Sequence, residues 1–234
     1  MEKLESLIAT AHRLRAPGGC PWDREQTHQS LVQYLLEETY ELIAAVESEN
    51  RDEVLEELGD VLYQVIFHAD LAAEGSLGEP FDLEDVAAVM EAKMKHRHPH
   101  VFGDATEQEQ FAAETGEEVM QNWEAHKRRE KPERLSILDG VPIAMPALAL
   151  ARKVIGKVKK ASLTQELLPA RNPGGSVANS EAEFGLQLLE LVSSAADLNP
   201  EIDLERALRQ ATTDLMQRVR AQEQRSDAES KGSM

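Results

Sequence analysis

LLEETYELIAAVESENRDEVLEELGDVLYQVI, residues 35 to 66, decides the fold, because carboxylates stand there inside an apolar pattern. Read at helical period, Glu38 and Glu41 are three apart and share one face, flanked by Leu35, Leu42 and Ala45. The arrangement returns in Glu57 and Asp60, again three apart, among Val54, Leu58, Val61, Leu62 and Val65. Two antiparallel helices joined near Glu49 to Asp52 would bring four carboxylates together in a largely dry place. Burying even one unpaired carboxylate costs several kcal/mol, so the four must hold either protons or cations. Oxygen ligands without Cys or His favour hard cations, Mg²⁺ or Mn²⁺ over zinc or copper. A run of charge in so acidic a chain is often only a solvated face. Against that stands the repetition of ExxE and ExxD on consecutive helices, each interleaved with core-type residues. Gly59, inside the second helix, costs about 1 kcal/mol relative to Ala and predicts close approach of a backbone or ligand.

Working outward, the whole chain reads as helical. It has 234 residues, 41% hydrophobic and only 4% aromatic, with abundant Ala, Leu, Glu and Gln and few β-branched runs. Its length suffices for a sizeable core, and the composition is that of a soluble globular protein. A formal net charge of −18 argues against nucleic-acid or anionic-membrane binding through the general field. The N-terminus alternates polar and apolar residues and lacks the charged start and apolar core of a signal peptide. No run of 18 apolar residues occurs, so no membrane span is expected. A single cysteine, Cys20, allows no internal disulfide and suits a reducing cytoplasm.

Toward the N-terminus, residues 2 to 15 form a helix ended by Pro17, Gly18 and Gly19, and a polar segment leads to a second helix opening at about Thr27. In that segment Trp22 is either a packing anchor or a stacking surface for a base. Glu25 and His28 make the only ExxH. Toward the C-terminus, the carboxylate helices run to about Glu74, and Asp82 caps a further helix that must stop before Pro99. Lys93 and Arg97, four apart near its basic end, either grip phosphate oxygens or complement the helix dipole. His96, His98 and His100 alternate beside a proline, which is poor ligand geometry. A helix from roughly Glu107 or Glu114 to Glu130 sets Trp123 and Lys127 four apart, as a substrate wall or as a Trp covered by a Lys stem.

Three prolines mark residues 131 to 146 as a linker, followed by a helix over about 147 to 161 and a break at 167 to 180. Helices at about 181 to 197 and 203 to 226 then precede a polar tail expected to lack structure. Residues 183 to 198 echo 57 to 71, and 202 to 220 echo 81 to 97. In this echo Leu186 stands where Asp60 stands and Asp214 where Lys93 stands. The expected division is therefore a first domain at 1 to 130, a linker with one helix at 131 to 180, and a degenerate, truncated second copy at 181 to 234.

GCPWDREQTHQSLVQYLLEETYEL, ELGDVLYQV, KMKHRHPHVF and NWEAHK occur in one order, and together they resemble the MazG family of nucleoside triphosphate pyrophosphohydrolases. The likeness is close over residues 1 to about 130 and weak beyond about 160. It implies an all-α bundle that dimerises and hydrolyses an NTP or dNTP to the NMP and pyrophosphate, as house-cleaning of the nucleotide pool. By motif, the resemblance implies Glu38, Glu41, Glu57 and Asp60 as Mg²⁺ ligands, with Glu37 an outer candidate. It gives Lys93 and Arg97 to phosphate, and Trp123 and Lys127 to the substrate pocket. Active copies in the family carry a lysine four residues before each motif, where this chain has Tyr34 and Glu53. A free carboxylate, Glu37 or Glu41, would take the proton of the attacking water. Two other classes remain open: a di-metal carboxylate bundle, which needs two ExxH pairs, and a non-catalytic helical interaction protein.

Overall fold

The computed structural model describes residues 2–113, 115, 116, 118, 119, 136–161 and 180–232. Among them every regular element is a helix, and the chain divides into two compact units, Met1–Arg129 and Glu130–Met234.

In the first unit α1 (Glu2–Arg15) and the short α2 (Pro21–Glu25) lead into a long hairpin of α3 (His28–Glu47) and α4 (Arg51–Ala73). Gly19 makes the first connection possible, since a Cβ there would lie 2.2 Å from the Leu14 carbonyl oxygen. Thr27 caps α3 by accepting from Ser30 N while the Ser30 hydroxyl accepts from Thr27 N, closing two of the orphan donors of the first turn. Glu49, at φ +57°, turns the chain, and the Asn50 side chain accepts from Asp52 N and Glu53 N to start α4. So short a connection obliges α3 and α4 to lie antiparallel along about 30 Å. Then follow α5 (Leu83–Arg97), α6 (Pro99–Phe102) and α7 (Ala105–Gln110). Asp82 and Asp85 cap α5 reciprocally, and the helix ends before Pro99 as its ring requires. Pro99 then serves as the first residue of α6.

The core lies at the open end of the hairpin. Leu31, Phe67 and Leu71 are buried together, with Tyr34 and Tyr63 packed against them. Tyr63 meets Phe67 edge on, centroids 5.8 Å apart. Buried Arg15 fastens α1 to α4: one guanidinium nitrogen donates to Asp70, the other to Glu74 at 2.8 Å, and the group lies 5.7 Å from the Phe67 ring centre. His12 completes the set, 2.9 Å from Asp70.

The second unit is built from α8 (Ala147–Lys160), α9 (Glu181–Leu198) and α10 (Leu204–Gly232). Among its described residues Ile155, Val158 and Val192 are buried. Pro146 offers α8 no side-chain cap, and the Glu205 carboxylate of α10 instead accepts from Ala149 N at 3.2 Å. Lys159 bridges from α8 to Asp197 and to the Ser193 carbonyl of α9.

One expectation is corrected. The polar C-terminal stretch continues as helix to Gly232, being rich in the strong helix formers Ala, Glu, Gln and Arg. Of the two openings expected for the next helix, the earlier is occupied by α7, which Asp104 caps and which stops at Phe111. The later is kept, since Gly116, Glu118 and Val119 are helical and the Thr115 hydroxyl accepts from Glu118 N at 3.3 Å, while most of 114 to 130 lies outside the described residues. Gly59 meets no close approach among the described residues, for a Cβ there has nothing within 4 Å. Gly59→Ala should accordingly raise the free energy of unfolding by about 1 kcal/mol in urea denaturation. A loss of stability instead would mean that another molecule packs on that face.

Candidate functional site

The hairpin turn sets Glu38 and Glu41 of α3 opposite Glu57 of α4, and one carboxylate oxygen of each lies within 4.8 Å of the others. Asp60, one turn beyond Glu57, stands outside this group of three but acts on it through its charge. Burial raises the Glu38 carboxyl above the ordinary carboxylate range, followed by repulsion from Asp60, Glu41, Glu57 and Glu37. Glu57 is raised likewise, by burial first and then by Glu41, Asp60, Glu56 and Glu53. Among the described residues no lysine or arginine pairs with any of the four acids.

The cluster is wetter than the apolar interleaving predicts. Glu41 is exposed, while Glu38, Glu57 and Asp60 are half-buried. The reason lies in the flanking residues: Leu36, Leu55, Leu58 and Leu62 are 53%, 63%, 51% and 40% exposed rather than packed in a core. One atom is nonetheless shut away, as Glu57 Oε2 is buried and has no hydrogen-bond partner. A buried anionic oxygen without a donor, next to two further carboxylates, is what a divalent cation satisfies. The residues therefore fit a hard cation, and among the described residues no other trio of His, Cys, Asp and Glu comes as close.

The remaining sequence candidates are placed unevenly. Glu37 is exposed beside the cluster. Lys93 is exposed and Arg97 half-buried on α5, and neither is among the charges that shift Glu38 or Glu57. Trp123 and Lys127 lie outside the described residues. Trp22 is 49% exposed and its ring stands nearly perpendicular to that of Tyr34, 5.5 Å between centroids. Tyr34, where the family pattern has a lysine, is thus part of the packing. Glu25 ends α2 and His28 begins α3, so the lone ExxH is not a one-turn ligand pair.

Residue patterns gave no hint of two polar contacts below the cluster. One turn past Asp60, the Tyr63 hydroxyl bonds buried Asp23; burial first, then the Asp23 charge, raises the phenol. Further along, His28 and His68 face each other across the hairpin with Nδ1 atoms 2.7 Å apart. Both contacts join residues 40 apart in the chain, beyond any local pattern.

Comparison with known proteins agrees with the motif resemblance. The MazG nucleotide pyrophosphohydrolase domain matches residues 26–102, which include all four acids. An uncharacterized 26.1 kDa protein of Streptomyces cacaoi is 41% identical over 94% of this chain and 83% of its own length. A nucleoside triphosphate pyrophosphohydrolase of Mycolicibacterium smegmatis is 42% identical over 86% of this chain but only 60% of its own. A protein of Thermotoga maritima named nucleoside triphosphate pyrophosphohydrolase/pyrophosphatase MazG is 37% identical over 94% of this chain and 85% of its own. With the domain match lying over the two carboxylate helices and such relatives matched along most of their length, the chain belongs to the MazG family.

Proposed function

We propose that the protein is a divalent-metal-dependent nucleoside triphosphate pyrophosphohydrolase, cleaving an NTP or dNTP to the NMP and pyrophosphate. The observation that carries this reading is the meeting of Glu38, Glu41 and Glu57 oxygens where Glu57 also has a buried, unpartnered Oε2. Glu38, Glu41, Glu57 and Asp60 would hold the cation, Mg²⁺ by donor type and Mn²⁺ as its substitute. When bound, it supplies the positive charge that lets an acidic cleft accept a triphosphate. Four carboxylates and a triphosphate repel strongly otherwise: each like pair at 4 Å costs about 4 kcal/mol at an effective dielectric of 20.

The chain's own side chains have the remaining tasks. Water oxygen bonds to the α-phosphorus, the bond from that phosphorus to the bridging oxygen breaks, and pyrophosphate leaves. Exposed Glu37 or Glu41 takes the water proton. Lys93 and Arg97, joined by Lys127, would stabilise charge gathering on the departing pyrophosphate, and Trp22 and Trp123 would flank the base. The exposed leucines of α3 and α4 support a homodimer in which a second copy covers them. The second unit reads as a shortened copy that kept its packing, with exposed Leu186 at the position of Asp60. Likeness to the family supports a role in clearing unwanted nucleotides in the cytoplasm.

Purified protein with Mg²⁺ should release pyrophosphate from at least one member of a panel of ordinary, oxidised and deaminated NTPs and dNTPs, and EDTA should abolish the release. No pyrophosphate from any of them would end this reading.

A further inference from the structure

The geometry of the histidine pair allows its protons to be placed. The ring planes are 13° apart with centroids 5.0 Å apart, and the Nδ1 atoms are separated by 2.7 Å. Two five-membered rings can satisfy all three values only edge to edge, nearly in one plane, which is the arrangement of an imidazole N–H···N hydrogen bond and not of face-to-face stacking. The Ser76 hydroxyl donates to the Leu71 carbonyl at 2.7 Å, so its oxygen accepts from His28 Nε2 at 2.9 Å. With Nε2 protonated, neutral His28 offers a lone pair at Nδ1, and His68 must supply the bridging proton from its own Nδ1. His68 Nε2 is then a bare lone pair, and it is buried without a partner.

We propose that His28 and His68 form a pH-sensitive clasp that holds the open end of the hairpin, fastening the first turn of α3 and the 74–78 turn to α4. In the neutral pair one proton serves two acceptors in sequence. A first added proton leaves an N–H at buried His68 Nε2 with no acceptor, and a second sets two N–H groups head on at 2.7 Å. Among the described residues, the charged groups on the packed elements are engaged elsewhere or exposed. His12 and Arg15 of α1 are engaged with Asp70 and Glu74 of α4, and Asp23 of α2 takes the Tyr63 hydroxyl. Arg24 and Glu25 of α2, Glu79 after the turn, and the charged residues of α5 other than Arg97 are exposed. His28 also sits at the first position of α3, where the helix dipole disfavours a cation. Burial and then the charge of His28 hold His68 below the usual histidine range, and no carboxylate figures among the causes. The folded chain therefore binds fewer protons here than the unfolded one. Its stability is kept above the ordinary histidine pKa and lost as pH falls below it.

The test uses full-length protein. Nitrogen NMR of ¹⁵N-histidine-labelled protein at pH 7.5 should find one ring protonated at Nδ1, its signals missing in His68→Asn, and the His28 ring protonated at Nε2. Asn keeps a donor where Nδ1 stood but takes no proton. Between pH 7.5 and 5.5 the wild-type melting temperature should fall about 4 °C further than that of His68→Asn. His68→Phe, without the bond, should melt lower already at pH 7.5. A His68 ring protonated at Nε2 at pH 7.5, or equal losses of melting temperature in wild type and His68→Asn, would overturn the clasp.

Discussion

Glu57→Gln should lower kcat/KM for pyrophosphate release by about 100-fold or more, since a neutral amide oxygen neither completes the charge of the cation site nor holds it against the pull of the triphosphate. The same substitution should raise the melting temperature of the metal-free protein. Its carboxyl is shifted upward by burial and by Glu41 and Asp60, so the native state holds its proton more tightly than the unfolded chain does. That contribution to stability is complete below the ordinary glutamate pKa and is lost as pH rises through the raised one. At neutral pH the ionised group is therefore a burden on the folded state, and amide replacement lifts it. Mg²⁺ or Mn²⁺ should raise the melting temperature of wild type and much less that of Glu57→Gln. Equal stabilisation of both by the cation would remove Glu57 from the metal site, whatever happened to turnover.

Arg15→Met should cost about 3 kcal/mol of unfolding free energy, because removing one partner of a buried ion pair leaves the other without compensation. The Arg15 side chain is 5% exposed and Asp70 14%, so water cannot replace what is lost; Glu74 is 59% exposed and matters less. Met keeps the aliphatic stem against Phe67, which isolates the charge from the packing. Adding Asp70→Asn to Arg15→Met should recover part of the loss, and urea denaturation of the two single variants and the double measures the coupling. Additive losses would show that Asp70 does not depend on Arg15.

The contrast between these two residues explains what could be read from the sequence. The acids repeat at a spacing that any helix converts into a shared face, so three of the four could be placed together from their numbers alone. Helix starts at Thr27 and Asp82 and the stop at Pro99 were equally legible, since caps and proline act within a few residues. Arg15 meets Asp70 and Glu74 across 55 and 59 residues, and no local rule links them. The dryness of the cluster failed for a related reason. Periodicity tells which side of a helix is apolar but not whether core or a separate molecule covers it, and Leu36, Leu55 and Leu58 face outward here.

Glu49, with its left-handed backbone, is the midpoint of a mirror: Glu41 and Glu57 each stand eight residues away from it, and Glu38 and Asp60 each stand eleven. The bend touches none of these acids, yet its length alone decides which rungs of the two rods come level. Inserting or deleting one residue there would rotate everything beyond by about 100° and slide it by about 1.5 Å. Loops of this kind usually tolerate such edits, but this one should behave in evolution and in the laboratory as though it were part of the acidic centre itself.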